Sequence, residues 1–159
     1  LVYPETYVAK SISSNGSIII EGDIVRLGES WQNGPVVLVW DSIKRTTSEI
    51  GKSQNVVLHE FAHQLDQEDG SADGTPILEN RSQYTTWAKI LSKEYETLQK
   101  QIFTGSRPFI DSYGATNPAE FFAVITEAFF QNPKTLKSKH PELYKELTDY
   151  YNLDPAEWI

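Results

Sequence analysis

Residues 53–70 read SQNVVLHEFAHQLDQEDG, and the spacing of their apolar and ionisable side chains decides the fold class. A helix is predicted over residues 53–65, with Val56, Val57, His59, Phe61, Ala62 and His63 crowding one broad side. The segment DQEDGSADGTP (66–76) then breaks it. Inside the helix, His59, Glu60 and His63 form the pattern HExxH. At about 3.6 residues per turn, side chains four apart share a face, so both imidazoles can reach one metal ion with Glu60 beside the bound water. Two neutral imidazoles suit zinc, and a third protein ligand leaves one position open to a water whose pKa the metal lowers to about 7. Glu60 is then the general base for attack on a carbonyl. The pattern arises by chance in about one chain of this length in a few hundred. Here it holds two of the three histidines in an apolar helix, which favours the metal reading. The remaining histidine, His140, precedes a proline at a predicted helix start and reads as exposed or capping.

Upstream of this helix the sequence favours strands at residues 6–9, 17–27 and 35–40, with turns at Asn15-Gly16 and Asn33-Gly34, as an antiparallel region. The run VVLVW (36–40) is apolar throughout, as in a strand covered on both faces. Downstream, a helix over residues 82–102 carries Tyr84, Trp87, Ile90, Leu91, Tyr95, Leu98 and Ile102 at spacings of three and four. Asn117 and Pro118 are N-cap and first residue of a helix reaching Phe130, and a last helix covers 141–151. Strands first and helices after give an α+β class, a single domain over 1–159, and Trp31, Trp40 and Trp87 are read as core.

Composition narrows the chemistry. The net charge of -8 argues against nucleic acid as a partner, and no apolar run approaches a membrane span. Without cysteine, thiolate zinc sites and cysteine nucleophiles are excluded, so His, Asp and Glu remain as strong metal ligands. The opening LVYPETYVAK has no signal-peptide character. A cytoplasmic protein is expected, with the numbering beginning inside a longer chain.

The third ligand has competing candidates. Asp69 lies ten residues after His59, where the metzincin pattern puts its last ligand, but the glycine that pattern requires is replaced by Asp66. Glu120 sits among apolar residues in a predicted helix, where an unpartnered carboxylate is costly. Glu127, seven residues on and on the same face, is either an alternative ligand or a group that orients a histidine. Asp66 shares the face of His63 and is assigned a structural role. The loop from Asp69 mimics the start of a calcium loop, but Asn80 stands where the bidentate Glu is needed.

The stretches HEFAHQLDQEDGSADGTP (59–76) and SYGATNPAEFFAVITEAFF (112–130) resemble the Mlc titration factor A family of zinc peptidases, whose core is similar to that of anthrax lethal factor. The resemblance spans roughly residues 36–150. It implies a gluzincin-type, zincin-like domain with a small sheet beside the HExxH helix, zinc on His59, His63 and Glu120, and Glu60 as base. It also implies a catalytic contribution from Tyr113, seven residues before the ligand Glu. The expected partner is a peptide or protein substrate, held as an added strand beside residues 35–40. Binding of a transcriptional repressor and hydrolysis of a small amide or ester are the alternatives.

Overall fold

The computed structural model describes residues 1–4, 7–15, 18–26, 28–30, 36–41, 43–44 and 55–158. Among them, β1 (Val2–Tyr3), β2 (Tyr7–Asn15), β3 (Ile18–Arg26), β4 (Gly28–Ser30) and β5 (Val36–Val39) precede five helices. These are α1 (Val56–Asp66), α2 (Arg81–Phe103), α3 (Pro118–Gln131), α4 (Pro133–Lys139) and α5 (Pro141–Tyr151), with a 3-10 turn at Ser112–Ala115. The α+β class follows directly from this order.

The strands form two sheets. β2 and β3 make an antiparallel ladder from Tyr7 opposite Arg26 to Asn15 opposite Ile18. The first strand is longer than residues 6–9 because backbone pairing with β3 carries the weak strand formers of KSISSN into the ladder. The second sheet has the order β1-β5-β4. It is mixed: β4 runs antiparallel to β5, as expected of the strands read from the sequence, and the added strand β1 runs parallel to it. β5 is therefore central and already paired on both sides, so no substrate strand can add beside it. Val37 and Val39 are buried, as the apolar run implied. Trp40, read as strand and core, has helical backbone and is 49% exposed. Trp31 and the turn at Asn33-Gly34 lie outside the described residues.

α3 is the central helix. Its sequence PAEFFAVITEAFF is apolar nearly all round, and such a helix is stable only when covered on every side. Phe121, Phe122, Ala123, Ile125 and Phe129 are at most 1% exposed. α1, α4, α5 and the 3-10 turn pack around it, and β4 and β5 pack on α1. α2 contributes Trp87, Leu91 and Leu98 to the same core. Tyr84 and Ile102, expected in that stripe, are exposed, because a 23-residue helix runs about 35 Å and its ends pass beyond the core. α4 was not predicted: PKTLKSK offers one apolar anchor, Leu136, which is fully buried.

Asparagines set the helix starts. Asn80 and Gln83 form a reciprocal capping box, and the Asn117 side chain accepts from the Glu120 N–H at 2.9 Å. Asn55 accepts from the N–H groups of Val57 and Leu58 at 3.1 and 3.2 Å, so α1 begins at Val56 rather than near Ser53.

Phe122 is fully buried in edge contact with Trp87, ring centroids 5.7 Å apart. Phe122→Ala is expected to lower unfolding stability by about 3–5 kcal/mol, measured by denaturant titration. A loss under about 1 kcal/mol would mean that α3 is not the centre of the core.

Candidate metal centre

The contact between α1 and α3 carries the ionisable cluster. Glu120 and Glu127, seven residues apart, fall on the α1-facing side of α3, and both address His59. The His59 Nε2 lies 2.9 Å from Glu120 Oε2 and its Nδ1 lies 2.8 Å from Glu127 Oε1. His63, one turn on along α1, brings its Nε2 to 3.2 Å from that of His59 and 3.4 Å from Glu120 Oε2. The three side chains are 13–18% exposed, so the cluster lies just below the surface.

The donor set fits a metal ion. A tetrahedral ion with bonds of about 2.0–2.1 Å sets its ligand atoms about 3.3 Å apart. The observed edges of 2.9, 3.2 and 3.4 Å bracket that length. Among the described residues, His59, His63 and Glu120 are the group whose ligand atoms converge in this way. Glu127 orients His59 from behind: with a hydrogen on Nδ1 donated to its carboxylate, Nε2 would be the nitrogen left to ligate an ion beside Glu120 and His63. The other Glu127 oxygen accepts from the backbone N–H of Asn55, so one carboxylate fixes the histidine and the start of its helix. The sequence reading missed Asn55, although an asparagine before an apolar helical run is an N-cap signal.

Burial opposes charge on His59, but its hydrogen bonds to Glu120 and Glu127 outweigh this and push its pKa up to about 9. Burial likewise opposes charge on Glu120, yet hydrogen bonds from His59 and His63 push its pKa down to about 2. Without metal, the cluster is an imidazolium held between carboxylates.

Glu60 is buried, 7% exposed, on the same turn as the histidines. Tyr113, in the 3-10 turn, sets its ring centroid 5.9 Å from that of His59 and is 45% exposed. Phe61, expected on the packed side of α1, is 53% exposed, because two residues separate it from the histidine face by more than half a turn. Asp69 is exposed, accepts from the Ser71 N–H at 2.8 Å and stands apart from the cluster. Asp66 is fully buried and accepts from the Gly74 N–H at 2.8 Å. Asn80 spends its side chain on the α2 cap, not on a cation. His140 is not exposed but does hold the N-cap position of α5, without a side-chain capping bond: its Nδ1 pairs with Glu94 Oε2 at 2.7 Å and its ring stacks on Phe109. No helix among the described residues is long and apolar enough to cross a membrane.

The sequence matches the family described as glucose-regulated metallo-peptidase M90 over residues 1–152. An uncharacterized protein of Synechocystis is 43% identical over 157 residues, covering 98% of this chain and 57% of the relative. Proteins named Mlc titration factor A from Serratia proteamaculans and Yersinia pestis are 35% and 34% identical over 159 residues. Each alignment covers 98% of this chain and, respectively, 60% and 58% of the relative. The chain thus spans somewhat under two thirds of the length of these relatives.

The pKa directions give a stability profile for the metal-free protein. His59 rises from 6.5 to about 9 on folding, so its contribution is full below pH 6.5 and is lost as pH rises through 9. Glu120 falls from 4.5 to about 2, so its contribution is present above pH 4.5 and is lost as pH falls through 2. Chelator-treated protein is expected to show its highest Tm between pH 4.5 and 6.5, with a decline from 6.5 to 9. A Tm that stays flat across pH 6.5–9 in thermal melts would remove the imidazolium from the cluster.

Proposed function

This chain belongs to the glucose-regulated metallo-peptidase M90 family, and from that premise we propose that it is the catalytic part of a zinc peptidase of gluzincin type, with a zincin-like fold. The observation that carries the reading is the convergence of His59 Nε2, His63 Nε2 and Glu120 Oε2 beside the buried Glu60. His59, His63 and Glu120 hold the ion; Asp69, its carboxylate turned to its own loop, does not. Zinc bound there would supply an activated water near neutral pH. Glu60 takes the proton of the attacking water and delivers it to the leaving amine. Tyr113, beside His59, donates its hydroxyl hydrogen to the oxyanion that develops on the substrate carbonyl.

An extended peptide is the favoured substrate. β4 is an edge of the three-stranded sheet among the described residues and packs on α1, so its outer backbone groups can hold a peptide in register beside the HExxH helix. A small amide or ester would not use that edge. A second reading, engagement of a repressor protein, rests on relatives whose name speaks of titrating Mlc. The buried general base favours hydrolysis over binding alone.

Glu60→Gln preserves shape and removes the base. It is expected to keep one zinc per chain by elemental analysis while losing peptide hydrolysis, whereas Glu120→Ala loses tight zinc binding and Asp69→Ala does not. Hydrolysis surviving in zinc-loaded Glu60→Gln would remove Glu60 as the base, and no hydrolysis by the zinc-loaded parent would leave repressor binding as the better account. Tyr113→Phe is expected to keep its zinc and lose on the order of a hundredfold in kcat, the range for one oxyanion donor. Near-normal turnover in the metallated variant would remove Tyr113 from the reaction.

A further inference from the structure

Asp66 ends α1, three residues after His63, and its fully buried side chain takes no part in the metal cluster. Its Oδ1 accepts from the backbone N–H of Gly74, eight residues on. Gly74 holds a left-handed φ of +82°, and a Cβ placed on it would lie 2.8 Å from the carbonyl carbon of Pro118 and closer still to the oxygen. Its own carbonyl accepts from Trp87 Nε1 at 3.1 Å. One residue therefore meets three helices: α1 through Asp66, α2 through Trp87 and the first residue of α3 through Pro118.

The consequence concerns the cluster. His59 and His63 stand on α1, while Glu120 stands two residues after Pro118. Nothing covalent fixes the gap between them over the more than fifty intervening residues, so a rigid spacer near the start of α3 is what holds the carboxylate in reach. We propose that Asp66, acting through Gly74, is a positioning residue for Glu120: the Asp66–Gly74–Pro118 contact sets the start of α3 at the distance from α1 that three-ligand metal binding requires. A side chain at Gly74 would press α3 away, and loss of the Asp66 acceptor would free the loop that presses against it. This inference rests on the reading of His59, His63 and Glu120 as metal ligands.

A double-mutant cycle in the full chain separates positioning from general stability, because residues acting through one group are non-additive. Zinc affinity is measured by competition with a chromophoric chelator, and cobalt-loaded protein reports coordination by its visible absorption. Asp66→Ala is expected to weaken zinc on the order of ten- to hundredfold. It should also shift the cobalt spectrum toward that of Glu120→Ala. Asp66→Asn, which keeps the acceptor, stays near the parent. Added to Glu120→Ala, Asp66→Ala causes no further loss. If Asp66→Ala does not fold, Gly74→Ala, which sets a Cβ against the Pro118 carbonyl and leaves Asp66 in place, carries the same cycle. Unchanged zinc affinity in the folded variant, or a full additional loss in the Glu120→Ala background, overturns the proposal. Unchanged affinity in Glu120→Ala alone overturns the ligand assignment itself, and the positioning role falls with it.

Discussion

The imidazole of His59, with a carboxylate on each ring nitrogen, is the contact on which the helical half of the molecule depends. α3 is buried on almost every side and still carries two acids, and an unpartnered carboxylate there would cost several kcal/mol. Glu120 and Glu127 are tolerable because α1 brings one ring between them. The pairing also fixes the rotation of α3. Turned by one residue, the helix would set a phenylalanine against His59 and press a carboxylate into the aromatic core. Site and core are thus the same interface, and neither can be repacked without the other.

The same contact explains how the cluster can exist with and without an ion. In the metal-free chain His59 carries a proton on both nitrogens, and that positive charge offsets part of the negative charge beside it. A divalent cation at the Nε2 side would replace one proton and leave the Nδ1 hydrogen on Glu127 in place. Because Glu127 also accepts from the Asn55 N–H, the start of α1 keeps its anchor in both states. The arrangement therefore needs no large movement of either helix to accept an ion.

How much of this was legible in the sequence depends on whether the signal was local. The HExxH spacing, the Asn117-Pro118 start of α3 and the buried character of that helix were readable, because each is set by periodicity or capping within a few residues. The β-region was legible as strands but not as a sheet. That β5 is central, with β1 parallel to it, depends on pairings across more than thirty residues that no local pattern encodes. Trp40 and His140 were misread for a related reason. A tryptophan ending an apolar run looks like core, and the ring of a histidine before proline looks solvent-facing, until tertiary packing leaves one ring half exposed and pairs the other with Glu94.

The contest between Asp69 and Glu120 shows what decides the availability of a carboxylate. Asp69 sits two residues before the Ser71 N–H, and a short acidic side chain at that spacing closes on its own backbone. Its charge is used where it stands. Glu120 occupies the third position of α3, where the helix dipole favours a negative charge and the backbone N–H would otherwise need a cap. Asn117 meets that need with its own oxygen, so the longer Glu side chain is not drawn back to the helix end. It can extend to His59 and His63. The residue that frees Glu120 for the cluster is therefore the cap three positions before it, and the loop contact at Gly74 and Pro118 determines how far that freed carboxylate must reach.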